Sequence, residues 1–191
     1  MMLVDVLNAV NQSKMVSRTI IVTPDNTVLK GIYSRNVEII GEADGRGLNM
    51  ALKRAVVYSL RHGASSLLIL PADIPLTTKN DIEQIIDSTS DHGIVIVPSK
   101  DGLGTNALAL TPPDVISTAF GSNSFQSHLN LAQINKIPTK VLRIDRVSLD
   151  IDTSDHIEEF LSFPTRTNTR DYLLAIVLSR RLGRSWLHPR S

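Results

Sequence analysis

Ser66-Leu67-Leu68-Ile69-Leu70-Pro71-Ala72-Asp73-Ile74-Pro75-Leu76 joins an apolar run to an acid held between prolines. The run from Ser66 to Leu70 reads as a strand buried on both faces, central in a parallel sheet. Asp73 falls just past its carboxyl end, the rim at which open α/β sheets bind ligands. Pro75 ends the extended segment and stiffens the turn. The residues alone leave two readings for Asp73: a fixed carboxylate in a binding crevice, or a cap for the next helix. That helix is capped by Thr77 or Thr78 and runs through Ser88, with Ile82, Ile85 and Ile86 inward.

The same alternation extends both ways. Leu3, Val6, Leu7 and Val10 repeat at helical spacing, so the chain opens in a helix. Arg18–Thr23 and Val37–Ile40 read as strands. Leu48, Ala51, Leu52, Ala55, Val56 and Leu60 share one face of a helix. Ile94–Val97 is another buried strand, Gly102–Asn106 a loop and Ala107–Leu110 a strand. Pro112-Pro113 opens a short helix. Phe125–Ile134 is a helix, Lys140–Ile144 a strand, and Ser154–Leu161 and Arg170–Leu182 are helices. Strands alternating with helices predict an α/β fold, a three-layer sandwich with a mainly parallel sheet. The 191 residues form a single domain with a substantial core, and the tail at 184–191 is expected to be mobile.

Composition removes several functions. The chain is 42% hydrophobic and 20% charged, with net charge +1, so no global field draws it to nucleic acid or acidic membranes. Aromatics are only 4%, too few for a base-stacking platform. With no cysteine there is no disulfide, thiolate metal site or thiol nucleophile, which fits a cytoplasmic protein. No apolar run approaches the ~18 residues of a membrane span. The first residues lack the basic start and cleavage site of a signal peptide. No Ser-His-Asp or H-E-x-x-H pattern appears. From Arg166 onward six arginines face one acid, Asp171, which reads as a solvated helix face, a subunit contact or an anion-facing lid. The apolar Tyr172–Leu182 helix, with Trp186 after it, predicts a homodimer.

A second acidic motif, Leu149-Asp150-Ile151-Asp152-Thr153, follows a strand and precedes a helix. Alternation puts Asp150 and Asp152 on one side of an extended segment. Brought beside Asp73 they form a three-carboxylate cluster that requires protons or a cation. Hard oxygen ligands with room for phosphate suit Mg²⁺. Alone, the Asp-x-Asp reads equally as a capping turn. Gly104-Thr105-Asn106 offers a hydroxyl and an amide in one turn. Gly121-Ser122-Asn123-Ser124 at a helix start is either an anion site or plain capping by Ser122 or Ser124. His128 lies one turn into that helix, and a lone helical His is more often structural. The loop Glu42–Gly47 allows close backbone approach to a ligand, and Asn49 can hydrogen-bond a base or ribose edge.

Five motifs in order carry a resemblance: G-x-G-L-N-x-A-L (Gly45 to Leu52), L-P-A-D-I-P-L (Leu70 to Leu76), G-T-N-A-L (Gly104 to Leu108), F-G-x-x-S-F-x-x-H (Phe120 to His128) and L-D-I-D-T (Leu149 to Thr153). Over about Met1 to Leu161 the chain resembles the 2-phospho-L-lactate guanylyltransferase (CofC) family. The resemblance implies a nucleotidyltransferase with a glycosyltransferase-A-like, nucleotide-diphospho-sugar transferase fold. It implies joining of GTP to 2-phospho-L-lactate, giving lactyl-2-diphospho-5′-guanosine and pyrophosphate in coenzyme F-420 biosynthesis. Asp73, Asp150 and Asp152 would then hold Mg²⁺ as the catalytic carboxylates. Thr105, Gly121 and Ser124 would embrace the phosphorylated three-carbon acid, with Gly47 and Asn49 near the guanine nucleoside. The family's opening strand and its Lys/Arg-bearing triphosphate loop find no counterpart here. Other readings are a molybdenum-cofactor or sugar-phosphate nucleotidyltransferase, or a non-catalytic nucleotide-binding protein.

Overall fold

Residues 1–24, 37–41 and 47–181 are described by a computed structural model of the chain, the side chains of 179–181 excepted. Their elements run α1 (Met2–Gln12), β1 (Thr19–Thr23), β2 (Val37–Gly41), α2 (Leu48–Arg61), β3 (Leu67–Ile69), α3 (Lys79–Asp87) and β4 (Gly93–Pro98). There follow β5 (Thr105–Thr111), α4 (Ser124–Ile134), β6 (Thr139–Val141), α5 (Asp145–Ser148), α6 (Ser154–Ser162) and α7 (Asn168–Arg181). The expectations for Glu42–Arg46 and for the tail with Trp186 lie outside the described residues.

Strands β4 and β5 are buried almost throughout, and their side chains alternate between two cores. Ile94, Ile96, Leu108 and Leu110 meet Ile116 and Ala132 on the α4 side. Val95, Val97, Ala107 and Ala109 meet Val6 of α1, Ile74, Ile85 of α3, and Ile144 and Val147 on the other. Helices therefore cover both faces of the sheet, which is the three-layer arrangement.

The four-stranded sheet has the order β3-β5-β4-β6, and β1 pairs with β2 in parallel. β5 is antiparallel to both of its neighbours, and β6 is parallel to β4. Three of these four strands thus share one direction and β5 alone is reversed. The central parallel position expected of the Ser66–Leu70 run needs correction. β3 is half-buried, pairs only with the reversed β5, and ends the sheet among the described residues. The cause is the short Ser99–Gly104 connection, closed by Ser99 N–H to the Gly104 carbonyl at 3.0 Å. A turn that short can only bring the chain back antiparallel. The Gly102–Asn106 loop is corrected with it, since Thr105 and Asn106 belong to β5 and are buried.

Local chemistry explains the helix ends. Thr78 caps α3 in a capping box, its hydroxyl taking the Asp81 N–H while the Asp81 carboxylate takes the Thr78 N–H. Arg146 binds the same carboxylate through two nitrogens, at 2.9 and 2.6 Å. Burial pushes the Asp81 pKa up, but these donors outweigh it and hold the carboxyl below its usual range. In α2 the buried stripe is Ala51, Leu52, Ala55 and Ser59, whose hydroxyl returns to the Ala55 carbonyl at 2.8 Å. Leu48 and Leu60, expected inward, are exposed at the two ends of that stripe. The Pro112-Pro113 helix does not form. One turn closes, Val115 N–H to Pro112 O, before Ile116 enters the core beneath α4.

Candidate active site

Because β5 runs backward, its first residues lie at the same sheet edge as the end of β3. Ile69 pairs with Leu108, so Thr105 and Asn106 continue toward the loop that holds Asp73. The segment after β6 returns there too: Ile151 N–H donates to the Asp73 carbonyl at 3.0 Å. Leu76, Leu149 and Phe160 pack behind this contact, with Ile151, Phe163 and Leu173 around them. The two acidic motifs are thus joined by backbone and by a dedicated apolar cluster.

The alternative roles for the acids fall to other residues. Thr78 caps α3, so Asp73 does not. Thr153 caps α6 by accepting the His156 N–H, so neither Asp150 nor Asp152 does. Asp73 is half-buried, and its Oδ1 is buried with no hydrogen-bond partner among the described residues. Burial is the first cause that raises its pKa; its own backbone N–H opposes this, and the charges of Asp152 and Asp150 raise it further. Asp150 is half-buried and Asp152 exposed. No three His, Cys, Asp or Glu side chains among the described residues close into a ready metal cluster. An orphaned carboxylate oxygen with two further carboxylates close enough to perturb it nevertheless fits a hard cation.

Asn106, expected in a turn, lies in β5 and holds Asp150. Its amide nitrogen donates to Asp150 Oδ1 and to the carbonyls of Val147 and Ser148, each at 3.1 Å. Asn106→Leu should leave three acceptors short of a donor and free the carboxylate to turn. Any Mg²⁺ held by these carboxylates should then bind roughly 10- to 100-fold more weakly, the range for loss of an outer-shell partner, as read by titration calorimetry.

Thr105 is 5% exposed and Ser124 2%, so both side chains are buried, and Thr105 directly precedes the Asn106 that holds Asp150. Gly121 has φ +135°, and a Cβ there would meet no protein atom within 4 Å, which leaves open space beside its backbone. The helix start offers fewer free donors than expected. Ser124 N–H is taken by Gly121 O and Phe125 N–H by Leu103 O. The α4 cap is Asn123, in the left-handed region and without a side-chain cap bond, so neither Ser122 nor Ser124 acts as one.

Asn49 is committed within the protein. Its amide donates to Phe120 O and accepts Phe120 N–H, both at 2.8 Å. It ties α2, which Gly47 caps at φ +83°, to the Gly121 loop. His128 is fully buried and bonds Thr105 Oγ1 at 3.1 Å and the Ala119 N–H at 2.9 Å. Burial drives its pKa down to about 4, partly opposed by the Ser124 carbonyl. The F-G-x-x-S-F-x-x-H spacing was the available signal for it. Among the C-terminal arginines, Arg170 is structural, donating to Leu161 O and Phe163 O at 2.8 Å. Arg166 lines a cleft of about 330 Å³ bounded by α1, residues 75–79 and residues 165–168. There Asp5 caps α7 through the Asn168 and Thr169 amides.

Residues 1–186 match the family model described as "Guanylyl transferase CofC like". The chain belongs to this family. Phosphoenolpyruvate guanylyltransferase of Sphaerobacter thermophilus is 38% identical over 154 residues, 81% of this chain and 74% of that protein. 2-phospho-L-lactate guanylyltransferase of Methanobrevibacter smithii is 34% identical over 160 residues, 84% and 70% of the two chains. A nucleotidyl transferase from Methanothermobacter thermautotrophicus superposes with a TM-score of 0.67 at 15% identity, covering 92% of this chain and 81% of that one. 4-diphosphocytidyl-2C-methyl-D-erythritol synthase of Anaerococcus prevotii gives 0.63 at 14%, covering 91% and 86%. At such identities the superpositions speak for the fold alone, and it is the nucleotidyltransferase fold. As a CofC-like protein the chain is a nucleotidyltransferase.

Proposed function

We propose that this CofC-like chain transfers the guanylyl group of GTP to the phosphate of 2-phospho-L-lactate. The products are lactyl-2-diphospho-5′-guanosine and pyrophosphate, in the biosynthesis of coenzyme F-420. The observation that carries the reading is the docking of the Asp150–Asp152 segment onto Asp73 beside Thr105, within the sheet edge of a guanylyl transferase family member.

An acceptor phosphate oxygen attacks the α-phosphorus of GTP in line. A P–O bond forms, the bond from the α-phosphorus to the bridging oxygen breaks, and pyrophosphate leaves with that electron pair. The acceptor is already an anion, so no protein nucleophile is required. The protein's share is positioning and charge neutralisation. Asp73, Asp150 and Asp152 would hold Mg²⁺, which when bound offsets phosphate charge and orients the reacting oxygens. Thr105 and Ser124 would hydrogen-bond the acid, with Gly121 giving it backbone access. Asn49 and Gly47 would shape the nucleoside side through the loop that Asn49 clamps.

A second acceptor, phosphoenolpyruvate, has a specific argument, because the 38%-identical relative carries that name. The test is pyrophosphate release by the purified chain with GTP, Mg²⁺ and either acid, separately and in competition, against EDTA. Metal-dependent release with either acid supports the reading, and the competition assigns the acceptor. Nucleotide binding without release would favour a non-catalytic protein.

We also infer a homodimer, supported by the exposed Tyr172, Leu174, Val177 and Leu178 of α7. Sedimentation equilibrium checks it. No helix among the described residues is long and apolar enough to cross a membrane, and we propose a cytoplasmic location on the substrates' chemistry.

A further inference from the structure

Among the described residues His128 is a fully buried ionisable group beside the candidate site, and the proposed reaction gives it no direct task. Its Nε2 receives the Ala119 N–H at 2.9 Å. A backbone N–H only donates, so Nε2 must present its lone pair. The neutral ring therefore carries its proton on Nδ1. Nδ1 lies 3.1 Å from Thr105 Oγ1. A protonated Nδ1 cannot accept a hydrogen bond, so the Thr105 hydroxyl meets it as acceptor. The hydroxyl's single proton is left for a different partner.

We infer that His128 is a positioning residue that fixes the Thr105 hydroxyl as a hydrogen-bond donor to an anionic oxygen of the acceptor acid. This rests on the proposed reading that Thr105 faces that acid. A free hydroxyl divides its time between donating and accepting, and a phosphate or carboxylate oxygen can use only the donor. The ring also anchors the loop before Gly121, through Ala119 N–H and the edge-on Phe120 ring at 4.9 Å. Asn49 holds the same loop from its other side.

Two variants separate these tasks. In His128→Asn the amide nitrogen overlays Nδ1 and keeps the donor to Thr105, while the Ala119 contact is lost. In His128→Gln the terminal amide reaches the Nε2 position and keeps the loop contact, while the donor to Thr105 is lost. Both are compared by Tm and by KM for each substrate. The expected result is an acceptor KM close to wild type for His128→Asn and raised about tenfold for His128→Gln, with KM for GTP unchanged in both. Adding His128→Gln to Thr105→Val should then raise the acceptor KM no further. The reverse order of the two variants, or additive effects with Thr105→Val, would overturn the inference. Long-range ¹H–¹⁵N spectra of the histidine rings test the tautomer without turnover. Nδ1–H at His128 is expected, and Nε2–H refutes the assignment. A chain with that tautomer that transfers to no phosphorylated acid would overturn the acceptor reading and Thr105's part in it.

Discussion

Asp73→Asn should leave the fold intact and lower guanylyl transfer on the order of a thousandfold. On the proposed assignment of Asp73, the size follows from losing a preorganised charge where phosphate charge develops. The substitution is isosteric and keeps the backbone contact from Ile151. Its effect on stability has a definite sign. Burial, joined by the charges of Asp152 and Asp150, raises the Asp73 pKa in the folded chain. An acid of raised pKa is bound to its proton more tightly when folded. Stability is therefore full below the ordinary carboxylate range, falls as pH rises through the folded pKa, and stays lower above it. At pH 7 in metal-free buffer the wild type bears that penalty and Asp73→Asn does not. Its Tm should equal or exceed the wild-type value while pyrophosphate release collapses. A site residue that costs stability in the free protein is a common mark of function. Undiminished release by a folded Asp73→Asn would sink the assignment of the carboxylates.

Much of this arrangement was legible in the residues. Thr78 and Asp81 form the capping box that hydroxyl and carboxylate three apart favour. The alternating faces of β4 and β5 follow from period-two burial. The Asp73 motif lies beyond β3 as expected, but the single turn of α5, not the expected strand, directly precedes Leu149 and Asp150. Local pattern misleads where a long-range contact overrides it. Thr105 looked like a turn residue because glycines precede it, yet the tight Ser99–Gly104 hairpin ends early and draws it into β5. Reversing β5 also moved the Ser66–Leu70 run from a parallel centre to an antiparallel pairing that ends the sheet among the described residues, which no residue in that run foretells. Asn49 and Asn106 each read as a free amide. Their partners lie 71 and over 40 residues away, and a single chain carries no local sign of such pairs. His128 had the same ambiguity, resolved by a contact to Thr105 across 23 residues.

Phe160→Ala should lower stability by about 3–5 kcal/mol, the cost of emptying a buried aromatic site. Phe160 is 1% exposed, as are Leu76 and Leu149, its partners in the small cluster behind the site. That cluster is separate from the two that flank the sheet, so its loss need not loosen β4 or β5. Leu76 belongs to the Asp73 loop and Leu149 directly precedes Asp150. The ring between them is what seats one acidic motif against the other. Removing it should reduce turnover even in the folded fraction, because Asp150 and Asp152 lose their fixed distance to Asp73. Leu110→Ala provides the contrast. It empties the α4-side cluster at the end of β5 far from Thr105, costs about 2–5 kcal/mol, and leaves turnover per folded molecule unchanged. Urea midpoints give the stabilities, and pyrophosphate release at low urea gives the turnover. Equal turnover in the two variants would show that the cluster supports the fold without aligning the site. A deficit confined to Phe160→Ala identifies it as the hinge between packing and chemistry.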